Sequence, residues 1–322
     1  MDLRPTLAAA LLGLLVAACA DTGAPATGAS PGALPGPSGI GVPALVVTSD
    51  RDGDTELYLR HPAGRLEQLT RNTSSDYGAR WSPDGGQLAF VSDRDGNEEV
   101  YVLRLADRSV RQLTRTAADG APVTNRAPAW SPDGTRIAFA STRDGGEAEI
   151  YAMGADGSAP TRLTRTEPHV VDHEPDWSPD GRSLVFSSNR YGDDNTEIMR
   201  MRADGSGVER LTRTADGVSD NAPQYAPDGR RILFSSTAEG QHDLATMAAD
   251  GSDVRPLYAN PQLDDVFPRW SPDNRSVVFQ TFGRPGSRTA EDVWVVAADG
   301  GGERRLLGTP ASESMPDPRP SP

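Results

Sequence analysis

A five-residue motif, Trp-Ser-Pro-Asp-Gly, recurs along the chain and constrains the fold more than any other feature. Copies or near copies begin at Trp81, Trp130, Trp177, Tyr225 and Trp270. The intervals between them are 49, 47, 48 and 45 residues. Self-similarity with a period of about 20–50 residues is typical of solenoids, propellers and arrays. The chain from residue 44 onward is therefore expected to repeat one structural unit.

Each repeat contains the pattern of four short strands. The motif is followed by an apolar segment such as Gln87–Ser92, a polar turn, and a second segment such as Glu99–Leu105. An Ala-Asp-Gly turn, which supplies the positive φ values of a tight hairpin, then leads to a segment ending in Leu-Thr. With the segment that enters each motif, this makes four antiparallel strands, which is typical of propeller blades. The aromatic residue of each motif is expected to pack between neighbouring blades.

The number of blades depends on the two ends of the chain. The first Leu-Thr ending, Leu69-Thr70, is preceded by only two strands and by no motif. At the other end, Asp317–Pro322 aligns with Phe267–Pro272 and places Pro320 where the motif has tryptophan. We therefore predict an all-β, six-bladed propeller of four-stranded antiparallel blades whose first blade is closed by the C-terminus. A frayed, proline-rich tail is the alternative.

The N-terminus has the features of an export signal. An apolar segment, Leu7–Ala18, follows Arg4 and ends in a Val-Ala-Ala-Cys sequence that resembles a bacterial lipobox. At about 12 residues it is too short for a membrane span, which needs roughly 20. We predict a signal peptide over residues 1–18 and lipidation of Cys19, the only cysteine; an ordinary signal peptide with a chance cysteine is the alternative. A flexible tether rich in Gly, Pro and Ala completes the segment 19–41, and the propeller is expected over 42–322.

Composition excludes several classes of function. The chain has 46 acidic residues against 32 basic ones, all arginine, and a net charge of −14. Without lysine there is no Schiff-base chemistry and no P-loop, and an acidic chain is a poor binder of nucleic acid. We expect a monomer that meets the membrane only through its lipid.

A second repeated feature lies five residues before each motif. These positions hold Asp76, Asn125, Asp172, Asp220 and Asp265. They belong to the connection between blades, so they are expected to form a polar ring at the mouth of the central channel. Such residues can cap their own loops through Asx turns. Alternatively the ring binds a cation or the basic or amide groups of a partner, together with its variable neighbours Tyr77, Arg126, His173, Asn221 and Val266.

Metal and catalytic motifs are weak. His169, His173 and Glu174 are the candidate metal ligands, but they lie in a loop segment rather than on one helix face. The turns Asp50–Asp54 and Asp93–Asn97 resemble half of a calcium loop, yet their glycine is at position four instead of six. No nucleophile elbow and no phosphate-binding loop is present. We therefore expect no cofactor, with calcium as the open alternative.

The combination of WSPDG, SDRDG, EIY, ADGS and RLT segments resembles the repeats of the TolB-like propeller family over about residues 42–322. The resemblance implies a non-enzymatic six-bladed propeller of the bacterial envelope that docks a peptidoglycan-associated lipoprotein. The family's partner face, carried over position by position, falls on the five ring residues and His173. The chain departs from the family in two ways: the family's N-terminal α/β domain is absent from the sequence, and a lipobox-like sequence is present.

These features together predict a non-catalytic, lipid-anchored envelope protein, periplasmic or facing the outer membrane, that mediates protein–protein interaction. The resemblance implies a Tol–Pal-type envelope role for it. The alternatives are a propeller enzyme on carbohydrate, such as a metal-dependent lyase or glycosidase, and a protein that binds a cation or small ligand.

Overall fold

The repeats fold into six four-stranded antiparallel sheets, and the structure, a computed structural model, describes residues 40–116, 122–192, 195–283, 291–308 and 310–321. Blade 1 contains β1 (Leu45–Ser49), β2 (Glu56–Arg60), β3 (Leu66–Gln68) and the last strand, β24 (Glu313–Pro318). Blade 2 contains β4 (Asp76–Trp81), β5 (Gln87–Ser92), β6 (Glu99–Arg104) and β7 (Val110–Gln112). Blade 3 contains β8 (Asn125–Trp130), β9 (Arg136–Ser141), β10 (Glu149–Gly154) and β11 (Thr161–Arg162).

The other three blades follow the same plan. Blade 4 contains β12 (Asp172–Trp177), β13 (Ser183–Ser188), β14 (Glu197–Arg202) and β15 (Glu209–Arg210). Blade 5 contains β16 (Asp220–Tyr225), β17 (Arg231–Ser236), β18 (Asp243–Ala248) and β19 (Arg255–Tyr258). Blade 6 contains β20 (Leu263–Trp270), β21 (Ser276–Gly283), β22 (Asp292–Ala297) and β23 (Arg304–Leu307). The predicted fold class is therefore confirmed.

The motif shapes both the turn and the core. In blade 2, Gly85 N donates to Ser82 O at 2.8 Å, and the Ser82 hydroxyl donates to Asp84 at 2.6 Å, which closes the turn between β4 and β5. Trp81 is buried among Val46 and Leu57 of the preceding blade. The motif aromatics therefore pack between blades, as expected, because two sheet faces can exclude water only where a large side chain fills the gap.

The inner strand of each blade is the strand at the channel end of its sheet, namely β24, β4, β8, β12, β16 or β20. Each inner strand has a β-bulge part-way along its pairing with the next strand. In β12 the register shifts between His173 and Asp176, and Glu174 has a φ of 55°. The equivalent residues, also with positive φ, are Gly78, Ala127, Ala222, Phe267 and Met315. A bulge redirects the side chains around it, so it sets which groups of the inner strand face the mouth.

The C-terminus closes blade 1, as predicted, but two residues away from the predicted register. Pro318 pairs with Leu45 as Trp81 pairs with Leu88, and Pro318, not Pro320, therefore takes the place of the motif tryptophan. The sequence alignment matched Pro318 to Pro268. In the structure the bulge residue Met315 is equivalent to Phe267, and this equivalence fixes the register. Asp317 accepts hydrogen bonds from Trp81 N at 2.9 Å and, through its carbonyl, from Trp81 Nε1 at 3.0 Å.

The described chain begins on one face of the propeller. Ile40 packs against the blade 1 and blade 6 cluster that includes Leu66 and Leu306, and its carbonyl accepts a hydrogen bond from Arg304 at 3.4 Å. This is the face of the motif turns and the Ala-Asp-Gly hairpins. The predicted signal peptide, Cys19 and residues 20–39 of the tether lie outside the described residues. No helix in the described ranges is long and apolar enough to cross a membrane.

Candidate docking site at the channel mouth

The ring residues predicted from the sequence lie at the mouth end of the inner strands. Asp76, Asn125, Asp172 and Asp265 are fully buried, and Asp220 is 2% exposed. Their side chains point into the protein rather than to a partner. Partner binding by these residues remains a prediction, and any direct contact at the mouth has to come from their neighbours.

An arginine covers the ring residue in four blades. Arg94 Nη2 donates to both carboxylate oxygens of Asp76 at 2.8 Å, and its Nε donates to Ser92 Oγ at 2.8 Å. Arg190 contacts Asp172 at 2.9 and 2.7 Å and Ser188 Oγ at 3.0 Å in the same way. Because the donor and the acceptor are both charged, a contact of this kind is stronger than a hydrogen bond between neutral groups.

The other two arginines vary the arrangement, which we call the arginine clamp. Arg143 donates to the amide oxygen of Asn125 at 2.8 Å. In blade 1, Arg51 pairs with Glu313, which occupies the sixth ring position and was missed by the sequence alignment. The sequence analysis considered these turns only as calcium loops. The fixed separation of 18 residues between ring residue and arginine in blades 2–4 was the signal that could have revealed the clamp.

The clamp is incomplete on the side of blades 5 and 6. Burial raises the pKa of Asp220 to about 6. Burial, followed by the nearby carboxylates of Asp243 and Asp264, raises the pKa of Asp265 to about 8. A backbone hydrogen bond from Asn260 acts to lower this pKa, but its geometry is too poor to count as a partner for either buried oxygen. Among the described residues, the ring acids of blades 5 and 6 therefore lack the arginine that covers the ring residue in the other four blades.

The residues next to the ring form polar networks between blades. Tyr77 Oη donates to Glu98 at 2.6 Å, and Arg126 from the next blade pairs with the same carboxylate. Burial and the Glu98 carboxylate raise the pKa of Tyr77 above its usual range. The side chains of Arg126 and Glu98 keep 24% and 17% exposure, so this network is accessible at the mouth, unlike the ring.

A second network is centred on Glu174. Its carboxylate accepts from Ala222 N of the next blade at 2.7 Å and lies 3.3 Å from His173 Nδ1. Burial alone would lower the pKa of His173, but attraction to Glu174 outweighs it and raises that pKa. His242, which the sequence placed in a turn away from the axis, is half-buried. Burial lowers its pKa, while the carboxylates of Asp264 and Glu174 act in the opposite direction.

The predicted metal ligands do not come together. His169 is in an exposed turn, whereas His173 and Glu174 lie on the inner strand. Among the described residues no group of three His, Cys, Asp or Glu side chains is arranged to hold a metal ion. In the calcium-like turns, Asp52 accepts from Tyr58 at 2.6 Å and Asp95 accepts from Tyr101. The expectation of no cofactor, with calcium as the open alternative, stays a prediction.

Deeper in the channel the inner strands present charged groups. Arg80 lies 3.1 Å from Asp317, and Arg269 lies 3.9 Å from it on the other side. Burial raises the pKa of Asp176 to about 7, although Arg80 opposes this shift. The channel thus carries both signs of charge and one carboxyl that titrates near neutrality.

Fold and mouth together define a closed six-bladed propeller with a polar, asymmetric opening. The sequence profile of the TolB beta propeller domain matches residues 114–316, more than half of the chain, and a profile of the dipeptidyl peptidase IV N-terminal region matches residues 52–160. The chain belongs to the TolB beta propeller domain family. A search of curated proteins found no match.

Solved structures agree with the fold. TolB from Acinetobacter baumannii matches with a TM-score of 0.72 and 21% identity over 87% of this chain and 67% of that one. A protein assigned as TolB from Agrobacterium tumefaciens matches with a TM-score of 0.65 and 26% identity over 84% and 90% of the two chains. An oligogalacturonate lyase in complex with manganese matches with a TM-score of 0.58 and 17% identity over 82% and 74%.

Proposed function

We propose that the protein is a non-catalytic, envelope-anchored docking module that binds another protein at the mouth of its channel. The observation that carries this proposal is the sequence variation at the position directly after the ring residue, where no two blades have the same residue. The six inner strands carry different residues there, namely Tyr77, Arg126, His173, Asn221, Val266 and Ser314. The first four are half-buried, whereas Val266 and Ser314 are buried. A rigid scaffold that presents variable side chains at one place is the usual construction of a recognition surface, and blades 2–5 present them here.

The chemistry of the accessible residues suits a protein partner. Tyr and Arg are over-represented among the residues that dominate binding energy at interfaces, and Tyr77 and Arg126 are half-buried and held by one carboxylate, Glu98. Little side-chain entropy would be lost when a partner covers them. Membership of the TolB beta propeller domain family supports an envelope protein, such as a peptidoglycan-associated lipoprotein, as the partner.

The N-terminal sequence supports the location. The apolar segment and the Val-Ala-Ala-Cys sequence resemble the export signal of a bacterial lipoprotein, and Cys19 is the residue that would carry the lipid. A tether of about 20 residues has a reach of roughly 25 Å as a flexible chain. We therefore propose a bacterial envelope location.

Capture from envelope extract tests the docking site. The Tyr77→Ala/Arg126→Ala double variant should recover its partner at least tenfold less than the unaltered protein. The matched control, Arg202→Ala/Asp204→Ala, removes the same number of exposed side chains from a hairpin on the opposite face. Equal capture by the two double variants would overturn the proposed site.

Turnover assays separate docking from catalysis. The likeness to a manganese-containing oligogalacturonate lyase is a likeness of fold. We expect no cleavage of oligogalacturonate by the purified protein with or without manganese, and no calcium-dependent rise in the melting temperature. Manganese-dependent cleavage would replace the docking proposal with the carbohydrate enzyme, and a saturable calcium effect would favour the cation-binding alternative.

A further inference from the structure

Blade 5 contains the arginine clamp without its arginine. Its ring residue is Asp220, and 18 residues later, where the preceding three blades have Arg94, Arg143 and Arg190, the chain has Ala238. The turn around Ala238 keeps the shape of the others: Ala238 N donates to Ser236 Oγ at 3.3 Å, as Arg190 N does to Ser188 Oγ at 3.3 Å. Only the guanidinium is missing.

The acceptors of that guanidinium remain in place. The hydroxyls of Ser236 and Thr212 act to lower the pKa of Asp220, as those of Ser188 and Thr164 do for Asp172, so equivalent hydroxyl groups lie beside both carboxylates. In the described part of the chain, Asp220 Oδ1 has no hydrogen-bond partner, although Asp220 is 2% exposed. A buried carboxylate oxygen without a donor costs stability, so this position gains when a donor arrives.

The apolar wall of the clamp is present as well. Arg94, Arg143 and Arg190 lie 5.6, 5.0 and 5.4 Å from the ring centres of Phe90, Phe139 and Phe186. Blade 5 has Phe234 at the corresponding position, 1% exposed. A guanidinium fits a carboxylate, a hydroxyl and a ring face at once, because it is planar and presents several donors in a fixed fork. An ammonium group can supply only the charge.

The position is close to the surface. In the filled clamps the side chains of Arg94 and Arg190 are 25% and 20% exposed, so the guanidinium lies near the surface of the turn rather than in the core. Ala238 and Glu239 are exposed, whereas Asp220 and Phe234 are 2% and 1% exposed. A guanidinium carried by another molecule can therefore approach over this turn, which borders the mouth, but it reaches Asp220 only when the turn moves aside.

We propose that blade 5 has an arginine-shaped slot, formed by Asp220, Ser236 and Phe234, that binds a guanidinium group from outside the chain. The chain itself supplies occupied versions of the slot in blades 2, 3 and 4. The natural source of the group is an arginine side chain of the protein docked at the mouth, and this last step rests on the proposed function.

Thermal unfolding at pH 7.5 with methylguanidinium as the probe tests the slot without any partner. The melting temperature of the unaltered protein should rise and saturate at millimolar probe, whereas methylammonium at the same concentrations should have no such effect. Ala238→Arg should raise the melting temperature by itself and abolish the probe effect. An unchanged probe effect in Ala238→Arg, or none in the unaltered protein, overturns the slot.

Two further variants keep the test decisive. Arg190→Ala opens an equivalent slot in blade 4, so it should melt lower and show a larger rise with the probe. Asp220→Asn reproduces the amide found at Asn125, so it should fold, and it should bind the probe at least tenfold more weakly. An undiminished probe effect in Asp220→Asn contradicts the proposal even if Ala238→Arg fails to fold.

Partner capture by Ala238→Arg protein tests the source of the guanidinium. Capture should fall at least tenfold if an arginine of the partner uses the slot. Full capture together with a lost probe effect would overturn the partner's arginine as the source, while the docking site at Tyr77 and Arg126 would stand or fall by its own variants.

Discussion

Asp317 is expected to be the residue on which closure of the propeller depends most. It lies on the last strand, is 8% exposed, and binds groups more than 230 residues away in sequence. One oxygen accepts from Trp81 N at 2.9 Å and the other from Arg80 at 3.1 Å. Asp317→Ala leaves both donors in the channel wall without an acceptor.

The size of the effect follows from the burial of this pair. Removing one partner of a buried, hydrogen-bonded ion pair costs about 3–5 kcal/mol. The Arg80 side chain is 14% exposed and can recover some hydration in the channel, so the lower end, about 3 kcal/mol, applies. At about 2–4 °C per kcal/mol for a protein of this size, the melting temperature should fall by roughly 6–12 °C.

A second substitution separates the hydrogen bond from the charge. Burial raises the pKa of Asp317 even though Arg80 opposes it, so the ionised form is disfavoured in the folded protein. Asp317→Asn, which keeps an acceptor for Trp81 N and carries no charge, should therefore cost less than half as much as Asp317→Ala. Thermal unfolding followed by circular dichroism at pH 7 measures both.

The matched control is an aspartate in an exposed hairpin. Asp204 accepts from Ser206 N at 2.9 Å, as Asp317 accepts from Trp81 N, but it lies at the surface. Asp204→Ala should leave the free energy of unfolding nearly unchanged, because substitutions at exposed positions of this kind have small effects. An Asp317→Ala variant that melts within a degree of Asp204→Ala would refute the reasoning, and so would an Asn variant as unstable as the Ala variant.

Three more outcomes are expected. In urea denaturation, Trp177→Phe should lower the free energy of unfolding by about 1 kcal/mol more than Trp270→Phe does. The reason is that Trp177 Nε1 donates to Ala129 O at 3.1 Å, whereas Trp270 Nε1 has no partner among the described residues. Equal losses would contradict this. Asp265 has a raised folded-state pKa, about 8, so the folded protein holds a proton that the unfolded chain loses near pH 4, and stability falls as the pH rises from there towards 8. Asp265→Asn should thus be more stable than the unaltered protein by more than about 1 kcal/mol at pH 8, since one pKa unit is worth about 1.4 kcal/mol. The difference in stability should vanish near pH 4. A difference that stays constant with pH would show that titration of Asp265 is not the cause. Incorporation of a fatty-acid probe in cells should be lost in Cys19→Ser, and retained labelling would exclude Cys19 as the lipid site.

The candidate site was only partly visible in the sequence. The ring positions could be found because their distance to each motif is fixed, but a constant spacing does not say whether a side chain faces solvent. The arginine clamp covers Asp76, Asn125 and Asp172. Asp220 and Asp265 are buried by packing without a clamp arginine among the described residues. Tyr77 and Arg126, which are now proposed to contact a partner, could be identified from the sequence only as neighbours of the ring. The residue type at their position varies from blade to blade, so the repeat does not single it out.

The sequence by itself determined the architecture, because the information for it is local. A period near 47 residues, alternating apolar segments and turn residues at fixed offsets specify strands and hairpins wherever they occur. Even the closing of blade 1 could be inferred, since its missing strand needed a source. Only the tertiary structure decided the register of that strand, which depends on the bulge at Met315 and on Asp317 meeting Trp81. It also decided which buried acids are neutralised, because a guanidinium and a carboxylate interact through their separation in space, and Ala238 matters only once Asp220 is seen beside it.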